Sequence, residues 1–438
     1  MDKTIVQEQA TLLFNRRISE VQTFWEEMTL SKQRELIGTS LLIDGEPGIL
    51  EQLVEQYQYN DKILYNLYKF YEDQPTKKNY YKNGIKDPKL FKKNKEHKTK
   101  SIAIFLPHCQ WTGGMKMIFS LGDLLRAKGY TVDFYIPYNT NGQVYELEVG
   151  PIRATVISYK EDEFISTFAN NYDVAIATHW DLIFPLYQYF DKAIFYNQGD
   201  YSTFSNQENT VSILKCFYSL PVYHMGVSSF ITHLLKDKFQ RKSWIVPCGI
   251  DLNKFHYDKE LKKENYILVI GDGLNAYKNV YKTIENLLPV AIENQMKIYW
   301  ITPRDDQFEH ENVIKIVNPK QKELVRYIQQ ANVLVNGSLI EAFGLPALEA
   351  MACGTPVVSS NNMGILQFGI KGKNCFIYTF NEFDKMREYV STILNDKEVS
   401  QSFIDAGLST AANYEIGLIN EQNLELMEKE FFDKNYLV

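Results

Sequence analysis

Long apolar segments are missing from this chain. Nothing in its 438 residues approaches the run of about 18 or more apolar residues that crosses a membrane as a helix. The first ten residues also lack the basic and then apolar order of a secretory signal. We therefore expect a cytoplasmic protein.

Cysteine is scarce and scattered. The five cysteines are odd in number and form no C-x-x-C pair, which argues against a disulfide framework and against a zinc site. The sequence shows no cluster of His, Asp and Glu, so we predict no metal site. The net charge of −7 argues against general affinity for nucleic acid.

The chain is long enough, and apolar enough, for more than one core. At 438 residues, of which 45% are hydrophobic, it is expected to form two or three domains. Residues 1–76 carry apolar side chains near helical spacing and predict a helical N-terminal extension. We interpret it as a cap or a homo-oligomerisation element, with recognition of an acceptor or partner as the alternative.

Residues 77–100 contain 10 lysines and only two acidic residues, Asp87 and Glu96. Low apolar content and high charge are typical of a linker, which is the favoured interpretation. The alternative is a peripheral electrostatic contact with anionic lipid at the inner face of the cell membrane.

An α/β region begins at residue 101. A buried-type strand, a loop with Gly113 and Gly114, and a helical segment follow one another, and glycines at such a turn let a ligand approach the backbone closely. The pair does not make G-x-G-x-x-G, so no dinucleotide site is predicted.

Further on, His179 directly follows an apolar strand, at the strand end that faces the ligand crevice of a parallel sheet.

The same order of strand, glycine loop and helix returns at residues 266–292. Lys278 ends the loop, where its ammonium could reach a phosphate. Arg304 follows the next strand along the chain. It is interpreted either as a solvated surface residue or as a second cation for that phosphate.

Residues 333–358, V-L-V-N-G-S-L-I-E-A-F-G-L-P-A-L-E-A-M-A-C-G-T-P-V-V, predict strand, polar loop, short helix and strand. Pro346 suits the first helical turn and Gly354 the position past the helix end. Glu341 in the loop and Glu349 on the helix lie near a helix N-terminus, which attracts anions. This pattern indicates a site for a phosphate-bearing ligand with carboxylates for its hydroxyl groups.

The stretch E-A-F-G-L-P-A-L-E-A-M-A-C-G-T-P-V-V resembles the E-x7-E signature of the family-four retaining glycosyltransferases. That resemblance implies the α/β GT-B fold, in which two Rossmann-like domains face a cleft. Residues 246–255, V-P-C-G-I-D-L-N-K-F, are similar to the connection between the two halves. We expect an acceptor domain at 101–246, a nucleotide-sugar donor domain at 247–412, and a C-terminal helix at 413–438 that crosses back to the first domain.

The resemblance also implies roles for single residues. Glu341, His179 and Lys278 are the expected catalytic residues: Glu341 and His179 contact the donor sugar, and Lys278 the diphosphate. Glu349 is expected to bind the ribose. Further substrate-binding positions are Gly113, Gly114, Arg304, Val317, Leu324, Ala342, Phe343, Gly344 and Leu345.

One position departs from the family's pattern. The family has an arginine shortly before the lysine, and Asp272 or Gly273 stands there in this chain. Lys278 alone supplies one positive charge for the diphosphate leaving group. Without the arginine, the sequence does not show which group neutralises the rest of the negative charge.

The implied activity is hexosyl transfer with retention, in biosynthesis of cell-surface polysaccharide or a related glycan. The donor is a nucleotide-diphosphate sugar, with UDP as the favoured nucleotide, and no cofactor is needed. A glycan, a lipid-linked molecule or a protein is the acceptor. The alternatives are a catalytically silent homologue that binds carbohydrate or stabilises a partner, and another GT-B enzyme such as an epimerase or a phosphorylase.

Overall fold

The computed structural model describes residues 101–107, 113–137, 144–149, 152–159, 172–183, 192–199, 222–239 and 241–432, with Leu186, Phe190 and Tyr218 between them. The predictions for residues 1–76 and 77–100 lie outside the described residues. The chain divides into two compact units. Unit 1 contains the described residues up to Gly226, residues 231–245 and those from Leu424 onward; unit 2 contains residues 227–230 and 246–423.

An eight-stranded sheet forms the centre of unit 1, in the order β3-β4-β2-β1-β5-β6-β7-β8. Its neighbouring strands are parallel, except that β3 runs antiparallel to β4. The strands are β1 (Ser101–Phe105), β2 (Thr131–Pro137), β3 (Val144–Val149), β4 (Ile152–Tyr159), β5 (Val174–Ala177), β6 (Ala193–Asn197), β7 (Tyr223–Gly226) and β8 (Ser243–Ile245). The helices are α1 (Gly113–Ala127) and α2 (Ser229–Phe239).

Aromatic side chains fill the core of unit 1. Phe105, Phe119 and Phe134 are fully buried, and α1 packs closely on β2 because it has a glycine at the contact. A Cβ added at Gly122 would lie 2.3 Å from the ring of Phe134. Any larger residue there would push the helix off the sheet.

The β3–β4 hairpin was not predicted. From Tyr145 to Val149 the residues of β3 alternate between apolar and acidic, and a Gly-Pro pair lies between the two strands in the sequence. Such alternation next to a Gly-Pro pair is typical of a hairpin. The hairpin lies at the edge of the sheet, next to β2.

Unit 2 contains a six-stranded sheet whose strands are all parallel, in the order β11-β10-β9-β12-β13-β14. The strands are β9 (Tyr266–Ile270), β10 (Lys297–Thr302), β11 (Val313–Val317), β12 (Val333–Asn336), β13 (Val357–Ser360) and β14 (Phe376–Tyr378). The helices are α3 (Val280–Glu293), α4 (Gln321–Gln330), α5 (Leu345–Ala352), α6 (Phe383–Asn395), α7 (Lys397–Asn413) and α8 (Ile416–Met427).

The core of unit 2 lies between the sheet and α3, α6 and α7. Its largest member is Trp300 of β10, which is fully buried and whose indole N–H donates to the carbonyl of Gly271 at 2.9 Å. That bond ties the carboxyl end of β9 to its neighbour strand. The loop that follows β9 is therefore fixed at its start.

The last helical segment passes from unit 2 into unit 1. Helix α8 begins at Ile416, and a π-helical turn (Glu428–Phe432) follows it. In unit 1, Tyr130 donates from its hydroxyl to Glu428 at 2.5 Å, and the ring of Phe431 packs between Tyr223 and Trp244. Among the described residues no helix is long and apolar enough to cross a membrane.

Candidate functional site

The loop between β9 and α3 presents Lys278 at the carboxyl edge of the unit 2 sheet. A 3₁₀ turn (Ala276–Lys278) forms its last part, capped by the Asn275 side chain, which accepts from the N–H of Tyr277 at 3.0 Å. Asn279 then takes the left-handed conformation, with φ 51°, and α3 begins. The turn sets the position of Lys278 before any ligand arrives.

The loop after β12 lies directly against this turn. The N–H of Leu339 donates to the carbonyl of Tyr277 at 2.7 Å, and the Asn279 amide donates to the carbonyl of Gly337 at 3.2 Å. A Cβ on Gly337 would lie 1.8 Å from the Thr283 hydroxyl, so only glycine permits this approach. Two loops far apart in sequence are thereby joined.

Glu341 is the centre of the joined loops. The ammonium of Lys278 donates to its Oε1 at 2.6 Å, and the hydroxyl of Ser338 donates to the same oxygen at 2.8 Å. The Glu341 N–H donates to the carbonyl of Asn362 at 2.8 Å, which anchors the residue's backbone as well. Within the described residues, Oε2 of Glu341 receives no hydrogen bond.

This arrangement leaves one carboxylate oxygen for a ligand. The Lys278 and Glu341 side chains are 31% and 13% exposed, so the pair is reached from solvent but mostly surrounded by protein. A carboxylate held through one oxygen can accept a hydrogen bond from a hydroxyl group through the other. An ammonium has three donors, so Lys278 can bond an anion while it keeps its bond to Glu341.

A second cation contacts the loop between β9 and α3. Arg304, which follows β10, donates from Nη2 and Nε to the two oxygens of Asp272, at 2.5 and 3.1 Å. The guanidinium lowers the pKa of Asp272 below its usual range, and the Lys278 charge contributes to the same shift. The guanidinium of Arg304 is therefore held against the loop that carries Lys278.

Helix α5 starts beside Glu341. Gly344 precedes it with φ 91°, a left-handed conformation that suits glycine, and a proline occupies its first turn. No side chain caps this end. Pro346 has no N–H and the N–H of Ala347 donates to the carbonyl of Gly344 at 3.1 Å, so Leu345 is the residue of this first turn whose N–H can meet an anion. Ala342 and Leu345 are half-buried, whereas Phe343 is buried against Phe368 and Tyr414 and can offer a ligand only its backbone.

Glu349 lies on α5 and is half-buried. It is one helical turn before Cys353, and burial together with the Glu349 charge raises the pKa of that thiol to about 12. A partly accessible carboxyl group is thus present one turn into α5. Cys353 itself is fully buried.

Two of the predicted substrate-binding residues, which would contact the base of the nucleotide, lie near the same edge of the sheet. Val317 ends β11, is 42% exposed, and is paired in register with Thr302 of β10. Leu324 lies in the first turns of α4 and is half-buried. Parallel strands bring their carboxyl ends to one edge, so Lys278, Arg304, Val317 and Glu341 share it.

Unit 1 holds the remaining predicted residues. A Cβ on Gly114 would lie 2.4 Å from Oε1 of Gln198, and the Gln198 amide donates to the Gly114 carbonyl at 3.1 Å. Gly113 is the first residue of α1. His179 follows β5, is half-buried, and lies with its ring centre 5.4 Å from that of Trp180. Both features lie at carboxyl ends of unit 1 strands.

Sequence reasoning missed Ser338 and the turn at residues 362–364. Serine in a loop gives no signal of its own, and the bond from Ser338 to Glu341 needs the folded loop. In the described part of the chain, no group of three or more His, Cys, Asp or Glu side chains is placed to hold a metal ion.

Residues 255–410 match the family model of glycosyl transferases group 1. The MMP alpha-(1->4)-mannosyltransferase of Mycolicibacterium hassiacum is 25% identical over 174 residues, which are 37% of this chain and 42% of that protein. The probable sucrose-phosphate synthase of Thermosipho melanesiensis is 25% identical over 224 residues, 46% of this chain and 51% of that one. The chain thus spans about half the length, or less, of these relatives.

Solved structures match a larger part of the chain. The sucrose-phosphate synthase of Thermosynechococcus elongatus superposes with a TM-score of 0.64 at 18% identity, over 77% of this chain and all of that one. Anabaena HepE in complex with UDP-glucose gives 0.61 at 14% identity, over 75% and 99%. At such identities the likeness shows the fold alone. Residues 255–410 of this chain are thus similar to the glycosyl transferases group 1 family, and the chain has the GT-B fold.

Proposed function

We propose that the protein is a retaining glycosyltransferase of the cytoplasm that moves a hexosyl group from a nucleotide-diphosphate sugar to a glycan, lipid-linked or protein acceptor. UDP is the nucleotide we favour. The observation that carries the proposal is the convergence of Lys278 and Ser338 on one oxygen of Glu341, beside the uncapped start of α5.

Neutralisation of the departing diphosphate is the first requirement of the reaction. Lys278 and the N–H of Leu345 at the start of α5 provide it in this proposal, and Arg304 adds a second cation once it leaves Asp272 or shares it. Lys278 and the Leu345 N–H are held by the fold, so these two need no rearrangement when charge develops on the leaving oxygen.

Recognition of the donor is the second requirement. The unpaired Oε2 of Glu341 accepts a hydrogen bond from a hydroxyl group of the sugar, and Glu349 accepts hydrogen bonds from the ribose hydroxyl groups. The base lies along Val317 and Leu324, where an exposed valine offers an apolar surface. Glu341 is half-buried and its bonds fix its orientation, so the sugar is held in one geometry.

The transfer itself needs no protein nucleophile in this scheme. The bond between the anomeric carbon and the leaving phosphate oxygen breaks with its electron pair going to that oxygen, and the acceptor oxygen attacks from the same face. The acceptor proton passes to the leaving phosphate. Gly113, Gly114 and His179 belong to the acceptor side of the proposal, with His179 contacting the transferred sugar.

The structural relatives support this choice of donor. HepE was crystallised with UDP-glucose, and the pneumococcal O-GlcNAc transferase GtfA, with a TM-score of 0.57 at 11% identity, with UDP and GlcNAc. WaaG, which is involved in lipopolysaccharide biosynthesis, gives the same TM-score at 13% identity. A role in making cell-surface polysaccharide fits these names.

Titration calorimetry with a panel of nucleotide sugars tests the proposal. We expect one member to bind, with the Glu349→Ala variant binding it at least about 10-fold more weakly, because the ribose contact is lost. Glu285→Ala removes an exposed carboxylate of α3 and is the matched control. Equal affinity in the wild type and Glu349→Ala would contradict the placement of the ribose.

A catalytically silent, carbohydrate-binding or partner-stabilising homologue remains the second candidate. One observation motivates it: Asp272 or Gly273 stands where the family's sequence pattern has an arginine, and Asp272 holds Arg304 in a salt bridge. Such a protein would bind a nucleotide sugar or a glycan without consuming the donor, whereas a transferase consumes it.

A further inference from the structure

Met363 has a backbone conformation that is rare for its residue type. Residues 362–364 form a γ-turn, in which the N–H of Gly364 donates to the carbonyl of Asn362 at 2.8 Å. Met363 at its centre has φ 67° and ψ −49°. A γ-turn with positive φ is strained for any residue with a side chain, and glycine is the residue that adopts it freely.

The surrounding structure holds this turn in place. Asn362 is fully buried; its side chain accepts from the N–H of Ile365 at 3.0 Å and donates to the Ser359 hydroxyl at 3.2 Å. A Cβ on Gly364 would lie 2.8 Å from the carbonyl oxygen of Glu341. The turn is therefore pressed against the loop that carries Glu341, with no room to relax.

The strained residue contributes little to the core. The Met363 side chain is 38% exposed, and its backbone forms an isolated β-bridge with Glu341. A glycine would satisfy the same backbone bonds without strain and would expose less apolar surface. Strain that packing does not require is typical of a residue that touches a ligand.

We propose that Met363 determines the specificity for the donor sugar. Its backbone bridge to Glu341 brings the residue next to this carboxylate. In this proposal the thioether is the apolar surface that the donor sugar meets there, and it favours a sugar with an apolar substituent, such as the methyl of an N-acetyl group, over one with a hydroxyl at that place. The thioether is flexible and polarisable, so it adapts to such a group. This inference rests on the proposed function, because it needs the donor sugar at Glu341.

Two variants separate the side chain from the backbone strain. Met363→Ala removes the thioether and keeps a Cβ at positive φ, and Met363→Gly removes both. The matched control is Gln295→Gly, since Gln295 is also a non-glycine residue at positive φ, 53°, and is exposed. It precedes β10 and so lies at the opposite edge of the sheet from Met363.

The readouts are the ratio of kcat/KM for UDP-N-acetylhexosamine to that for UDP-hexose, and the midpoint of thermal unfolding. One methyl group in an apolar contact is worth roughly 10-fold or more in such a ratio. We expect the wild type to prefer the N-acetylated donor and both Met363 variants to lose about 10-fold of that preference. Met363→Gly and Gln295→Gly should each raise the midpoint by roughly 1–3 °C, whereas Gln295→Gly keeps the wild-type ratio.

An unchanged ratio in Met363→Ala, or a wild type that prefers the unsubstituted hexose, would overturn the assignment of Met363 while leaving the proposed function intact. A fall in the unfolding midpoint of Met363→Gly would also overturn it, because the side chain would then be stabilising the fold. If the wild type consumes and binds no nucleotide sugar, the proposed function fails, and this inference fails with it.

Discussion

The ammonium nitrogen of Lys278 lies 2.6 Å from Oε1 of Glu341, although the two residues are 63 positions apart. They meet because the loops after β9 and β12 are hydrogen-bonded to each other at the edge of one sheet. The pair fixes the carboxylate before a ligand binds. It also keeps a cation where a diphosphate would lie.

Removal of the Lys278 charge should weaken binding of the nucleotide. We expect Lys278→Ala to lower the affinity for UDP by about 10- to 100-fold, the usual loss for a charge-assisted hydrogen bond. Calorimetry measures it, with Lys282→Ala, an exposed lysine on α3, as the control. An unchanged affinity in Lys278→Ala would place the diphosphate elsewhere.

Glu341 and Ser338 should act on the rate more than on binding. Glu341→Gln keeps the shape of the side chain but removes its charge, and we expect kcat to fall at least about 10-fold with little change in donor affinity. Ser338→Ala frees the carboxylate from one of its two partners and should lower kcat by a smaller factor.

Ser402→Ala, on the exposed face of α7, is the control for these two variants. Steady-state kinetics and calorimetry on the same samples separate kcat from affinity. A loss of donor affinity in Glu341→Gln with an unchanged kcat would contradict the role given to this residue.

The salt bridge between Arg304 and Asp272 should control how much charge reaches the diphosphate. Arg304→Ala removes the second cation, and we expect this variant to bind UDP more weakly than the wild type does. Asp272→Asn removes the competing carboxylate, so the affinity should stay equal or rise. Calorimetry at low and high salt measures both, since exposed charges are screened. If Arg304→Ala has the wild-type affinity, Arg304 is a surface residue.

Lys263 should make stability depend on pH in the alkaline range. Its ammonium is largely buried and donates to the carbonyls of Gln329 and Gly354 and to the Thr355 hydroxyl, at 2.9 to 3.0 Å. Burial lowers the pKa of Lys263 to about 8, below its unfolded value of about 10.4. Between these values the unfolded chain holds the proton that the folded one has released, so folding becomes more favourable as pH rises.

The variant Lys263→Met isolates this effect. We expect it to be less stable than the wild type, because three acceptors lose their donor. Denaturant unfolding from pH 7 to 10.5 should show the stability advantage of the wild type growing as pH rises. An advantage that shrinks over that range would mean that the folded pKa is not lowered.

Much of the fold followed from the sequence, because short apolar runs such as Tyr266–Ile270 are too short for a helix and are typical of buried strands, and Pro346 and Gly354 mark the ends of a helix. The approach of Glu341 and Lys278 to one edge followed from the parallel order of the strands. Their direct bond did not, since it depends on Gly337 and on the turn before Asn279.

Other features had no usable signal in the sequence. Arg304 reaches Asp272 because β9 and β10 are paired in register, and nothing in the sequence indicates that two residues 32 positions apart would meet. The positive φ of Met363 was equally hidden, because methionine is not a turn residue and only the contact of Gly364 with the Glu341 loop imposes it. The roles given to the site residues, Lys278, Glu341 and Glu349 as well as Val317, Leu324 and His179, stay predictions.

Proton NMR of a nucleotide sugar incubated with the protein tests the central claim most directly. With an α-linked donor, we predict that the anomeric signal of the donor decays, by transfer or by slow hydrolysis, and that the first product carries the α configuration. The Lys278→Ala variant should leave the donor signal unchanged. A β-configured first product would contradict retention, and a donor that stays intact across the whole panel would contradict the assignment of a glycosyltransferase.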